Sequence, residues 1–227
     1  METEKGIDAQ LGFKPYLKEL KKQIINEDNK EQVFYLEKKV KGAIEVAKKY
    51  AKKEGLSEDE MKVTNVYIFL FYFRLLDTFR EVPSTDEEDV KPQIREKIIP
   101  TDKIYKDWNI SVKDQHHLKD ALANYDVPVG KHYPMPIKIG HDAVTSTFGK
   151  KKFMNRLSGV IDEFEFYFPS LAGNQDRFNI VLDYLSKTRY YSEAARDKHL
   201  PRKIKNRKTL IKHIQKKKAA SSKFNNK

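Results

Sequence analysis

The most apolar part of the chain lies between Val63 and Phe79, and from Val66 to Leu76 only Arg74 interrupts it. Such a run has to be buried, because apolar surface left in water costs about 25 cal/mol per Å². Periodicity does not separate a core helix from a core strand in a continuous run, so the flanks decide. Ser57 and Glu60 have the capping-box spacing, Gly55 closes whatever precedes them, and neither Gly nor Pro falls between Leu56 and Val82. These signals predict a helix over 57–80. The aromatics Tyr67, Phe69, Phe71, Tyr72 and Phe73 keep a strand as the alternative. The run is shorter than the roughly 20 apolar residues of a membrane span.

Other segments take helical periods around it. Pro15 suits a first turn, with Leu17, Leu20 and Ile24 behind it at helical spacing. Between Asn29 and Lys53 the apolar positions Val33, Leu36, Val40, Ala43, Ala47 and Tyr50 alternate steps of three and four. Their mixed sizes favour packing on the apolar helix over a coiled-coil seam. Short helices are expected near 93–99, from Thr101 and over Val112–Tyr125, with Trp108 as a local anchor. In the second half, Phe153, Leu157, Val160, Ile161, Phe164 and Phe168 share a helical face that ends before Pro169. Phe178, Val181, Leu182 and Leu185 mark the next helix.

Two stretches break this pattern. In 81–92, two prolines bracket Asp86, Glu87, Glu88 and Asp89, which reads as an acidic linker. Consecutive acids lack the spacing of a calcium loop. In 127–140, VPVGKHYPMPIKIG holds three prolines and two glycines and is expected to run extended, as an arm suited to contacts with other protein subunits. The fold class is therefore mainly α: an irregular helical bundle around the 57–80 helix, with the Pro-rich arm at 127–140 and a basic C-terminal tail or helix. The expected divisions are 1–80, the linker 81–92, a second helical part 93–199, and the basic end 200–227.

Charge sharpens that last division. The net charge is +12, and the segment after Leu200 holds eleven Lys and Arg with no Asp or Glu after Asp197. Removing those eleven from the 45 basic residues leaves 34 against 33 acids, so the remainder is nearly neutral. This asymmetry points to nucleic acid or another polyanion as a partner, without sequence readout. The candidate contacts are Arg202, Lys203, Lys205, Arg207, Lys208, Lys212, Lys216, Lys217 and Lys218, with Arg189, Tyr190, Tyr191 and Arg196 as an aromatic and basic mixture upstream. Cysteine is absent, which removes thiolate ligands and thiol catalysis and fits a reducing compartment. With no secretory pattern at the start, the expected location is the cytoplasm, or a virion assembled there.

Signals for other chemistry are weak. TSTFGKKKF fails as a phosphate loop, because Val144 stands where the first glycine belongs and Lys151 where Ser or Thr should follow. An anion near Lys150–Lys152 would nonetheless relieve their repulsion. A second anion-facing surface is suggested by Lys38, Lys39, Lys41, Lys48, Lys49, Lys52 and Lys53, with a solvated helix face as the plainer alternative. His141–Asp142 superficially suggests a metal hydrolase, but it follows the proline-rich stretch where a buried helix is expected. His116 and His117 are adjacent, so they cannot share a metal from one helix. No cofactor or metal is expected. The sequence thus points to a non-enzymatic structural or assembly protein of a nucleoprotein complex, with a virion or genome-packaging component as one form. The alternatives are a metal-dependent nuclease, and a ribosome-associated or anionic-surface binding protein.

Overall fold

Ser57 starts the central helix by bonding Glu60 in both directions. Its backbone N–H donates to Glu60 Oε2 at 2.8 Å, and the Glu60 N–H donates to Ser57 Oγ at 3.3 Å. Just before it, Gly55 takes φ +71°, and the Leu56 N–H closes back on the Ala51 carbonyl at 3.0 Å. This left-handed stop favours glycine and ends one helix where the next begins. A computed structural model describes residues 12–23, 27–73, 101–123, 129–167 and 177–224. Among them every regular element is helical. The helices are α1 (Lys14–Gln23), α2 (Glu27–Glu54), α3 (Glu58–Phe73), α4 (Thr101–Asp107), α5 (Val112–Ala123), α6 (Met135–Thr145), α7 (Leu157–Tyr167), α8 (Arg177–Lys187) and α9 (Glu193–Phe224). The 81–92 linker and the helix expected near 93–99 lie outside the described residues, as does the end of the 57–80 helix beyond Phe73.

Helix α3 is apolar on nearly all sides because it is surrounded: every residue from Val63 to Leu70 is buried. The buried side of α2, with Leu36, Val40, Ala43, Ile44, Ala47 and Tyr50, packs within the same chain against α3 and α6. Phe13 stacks between Phe69 and Trp108, at ring-centroid distances of 4.2 and 4.3 Å. Trp108 therefore holds Phe13 against α3.

The extended arm needs correction. Its second half is the start of α6, and Pro136, Ile137, Ile139 and Gly140 are buried. Pro134 is the N-cap, at φ −65° and ψ 158°, and Pro136 lies in the first turn. A proline there gives up only an N–H that has no intrahelical acceptor, so prolines at this position begin a helix instead of preventing one. Thr64 Oγ1 on α3 donates to the Pro136 carbonyl at 3.0 Å. Gly140 faces Tyr67 so closely that a Cβ would fall 2.5 Å from the ring, which lets α6 lie against α3. The preceding residues are also tied to the body. Val129 and Tyr133 are buried, and the Tyr133 hydroxyl donates to Asp120 Oδ2 at 2.6 Å.

Two apolar cores result. The larger joins α1 through α6 with Tyr190, Ala194 and Ala195. The smaller gathers Phe148, Phe153, Leu157, Val160 and Ile161 with Val181 and Leu185 of α8 and Leu210 and Ile214 of α9. Helix α9 belongs to both. It runs unbroken through Pro201, so position 200 falls inside a helix, and the basic segment continues the element before it.

Candidate nucleic-acid interface

The two sides of α9 have opposite chemistry. Facing inward, Ala195, His199, Lys203, Asn206, Leu210 and Ile214 recur at steps of three and four, and all are buried. The polar three reach backbone carbonyls. Asn206 Nδ2 donates to Phe148 O at 2.7 Å and Lys150 O at 3.1 Å, Lys203 Nζ donates to Thr188 O, and His199 Nδ1 lies 3.4 Å from Gly149 O. These contacts bridge the gap between the two cores. Each gives a buried polar side chain a backbone partner inside the fold.

Lys203 must therefore be withdrawn from the expected contacts. It is only 8% exposed, and burial, followed by the nearby Arg207 and Arg189 charges, pulls its ammonium down to about 8. Tyr190 is withdrawn as well. It is buried, and its hydroxyl donates to Thr145 O at 3.2 Å, leaving no ring face for a base. The partly buried Tyr191 hydroxyl donates to Val129 O, and Arg196 Nη1 donates to Tyr191 O at 2.9 Å.

On the solvent side, Lys198, Arg202, Lys205, Lys208, Lys212 and Lys216 follow one another at steps of four, three, three, four and four, and all six are exposed. None of them joins an ion pair among the described residues. At 1.5 Å per residue the row extends about 27 Å. Arg207, Lys217 and Lys218 are exposed on its flanks, with Arg207 Nε donating to Ser186 Oγ at 2.8 Å and Lys217 Nζ 4.3 Å from the Phe178 ring centre. Lys198 extends the set inferred from sequence. Its signal is a helical step before Arg202, but Lys198 precedes Pro201 and falls within the expected 93–199 division.

His141–Asp142 lies on the buried helix α6 and not after an extended arm, and the contacts of Asp142 brace the fold. The carboxylate of Asp142 accepts from Tyr191 N at 3.0 Å, Ser192 N at 2.7 Å and Ser192 Oγ at 2.7 Å. Ser192 Oγ in turn receives the Ala195 N–H at 3.2 Å, so Asp142 braces the residue that begins α9. Burial raises its carboxyl to about 6, against those hydrogen bonds. Burial, aided by the Lys203 charge, lowers His141 to about 4. The Nε2 atoms of His141 and His199 and the Tyr50 hydroxyl are buried without partners. Among the described residues, no three His, Asp or Glu side chains gather as a metal-ligand set.

No helix among the described residues is long and apolar enough to cross a membrane. No known protein family, curated protein or solved structure matches this chain.

Proposed function

We propose that this protein is a non-enzymatic component of a nucleoprotein assembly, of the kind found in virions or genome packaging, and that it holds nucleic acid along the solvent side of α9. One observation carries the reading: six exposed cations form a row on a helix whose opposite side is locked into the protein. Because that helix is already held by its core contacts, binding does not have to order it, and the cations are presented together. Lysine and arginine in a row neutralise phosphates and release condensed counterions, which gives affinity without base readout.

An anionic membrane is the less suitable polyanion. A helix lying on a bilayer inserts an apolar stripe along its length, whereas Leu210 and Ile214 of α9 are buried in the second core and, among the described residues, Leu200 and Ile204 are its exposed large apolar side chains, about one turn apart.

The test is fluorescence anisotropy of the full chain with labelled oligonucleotides of two unrelated sequences over a range of salt. Similar affinities and a log–log salt slope of about −4 to −5, from six phosphate contacts, support the reading. Salt-independent binding, or none at low salt, refutes it.

A further inference from the structure

Cations from three segments, α2, the 149–156 stretch and α9, come together along the first half of α9. Gly149 is pressed onto His199, where an added Cβ would lie 2.3 Å from the His199 Cβ, and Asn206 holds the Lys150 carbonyl. The turn carrying Lys150 is thus fixed against α9 next to the rung that bears Lys198. The Met154–Arg156 turn also touches α9. Helix α2 packs antiparallel to it, since the Glu193 N–H meets Glu54 at 2.6 Å and Tyr50, one turn back, faces His199. In that register Lys39, about three turns before Tyr50, lies toward the part of α9 around Asn206, whose side chain holds the Lys150 carbonyl.

We infer that Lys39, Lys150, Arg156 and Lys198 form a phosphate-binding patch that carries the nucleic-acid backbone from the α9 row across the Lys150 turn and onto α2. The inference rests on the proposed role of α9 and adds a path and a second set of contacts. Lys150, Arg156 and Lys198 are exposed, and among the described residues none of the three is in an ion pair. Lys39 is half-buried over the Tyr35 ring, 5.0 Å from its centre. Although Lys150 as a residue is exposed, the protein around its ammonium, and then the Lys39, Arg156 and Lys198 charges, hold that group below its usual range. Burial first, and then Lys198 and Lys150, push His199 the same way. Positive charges held this close repel one another, and a phosphate placed among them reverses the sign of that interaction. The two lysine clusters noted in the sequence, around Lys39 and Lys150, become one surface.

The experiment compares salt slopes for a labelled 20-nucleotide strand among full-length variants. Lys150→Gln with Arg156→Gln alters the patch, Lys205→Gln with Lys212→Gln alters the helix row, and Lys113→Gln on α5 is the control. All five side chains are exposed, and circular dichroism checks that the helices persist. The expected result is a slope reduced by about 1.5 in each double variant, with the control unchanged. A patch variant with the wild-type slope, beside a weakened helix variant, overturns the inference and leaves the α9 reading standing. If neither double variant changes the slope, both fail. An equal change per charge in the control overturns the patch, because net charge alone then explains the loss. If phosphatidylserine vesicles respond to the patch variant and the oligonucleotide does not, the assignment to nucleic acid is overturned.

Discussion

Gly149 and His199 are in backbone-to-backbone contact: a Cβ on Gly149 would stand 2.3 Å from the His199 Cβ and 2.8 Å from the His199 carbonyl oxygen. Neither neighbour is the end of a flexible side chain, so a methyl group there forces the turn and α9 apart. Gly149→Ala should destabilise the protein by about 1–3 kcal/mol. Urea unfolding measures it, and an unchanged midpoint would show that the contact gives way freely.

Asp142 and His141 titrate with opposite effects on stability. Asp142 is raised to about 6, so the folded protein holds that proton more tightly than the unfolded chain. Its contribution is greatest below about 4 and is lost as pH rises through 6. His141 is lowered to about 4, so the unfolded chain takes its proton first. That contribution is present above about 6.5 and is lost as pH falls toward 4. Asp142→Asn removes the term that rises on acidification. The variant should lose about 2 kcal/mol more than wild type between pH 7 and pH 4.5 in denaturant unfolding. Parallel pH profiles would mean that Asp142 ionises in the folded protein as it does in the unfolded one.

Removing residues 201–227 takes Lys203, Asn206, Leu210 and Ile214 out of the interior. The smaller core should open, with loss of near-UV circular dichroism and gain of dye binding. Leu210→Ala alone should cost about 2–4 kcal/mol. A 1–200 fragment that unfolds as cooperatively as the full chain would contradict the dual role of α9.

How much of this was readable in the chain depended on whether the signal was local. The Ser57–Glu60 cap and the apolar side of α2 are written in neighbouring residues, and the structure reproduces both. Pro134 and Pro136 misled because a proline's effect depends on its position in the helix, and that position is set by how α6 docks on α3. The charge of α9 was plain from composition, but its division into two sides was not. Lys203 and Asn206 look like surface residues until Thr188, Phe148 and Lys150 supply carbonyls from at least 15 positions away. The inferred patch of Lys39, Lys150, Arg156 and Lys198 is likewise tertiary, built by packing α2 and the 149–156 stretch onto α9.

The central claim is that α9 meets nucleic acid with its outward side and not its inward one, and the salt slope of two variants tests it most directly. Lys205→Gln, Lys208→Gln and Lys212→Gln together should reduce the slope by about 2–3. Lys203→Met, which removes a cation from the inward side, should leave it as in wild type. Equal losses in both, or none in the triple variant, would contradict the account.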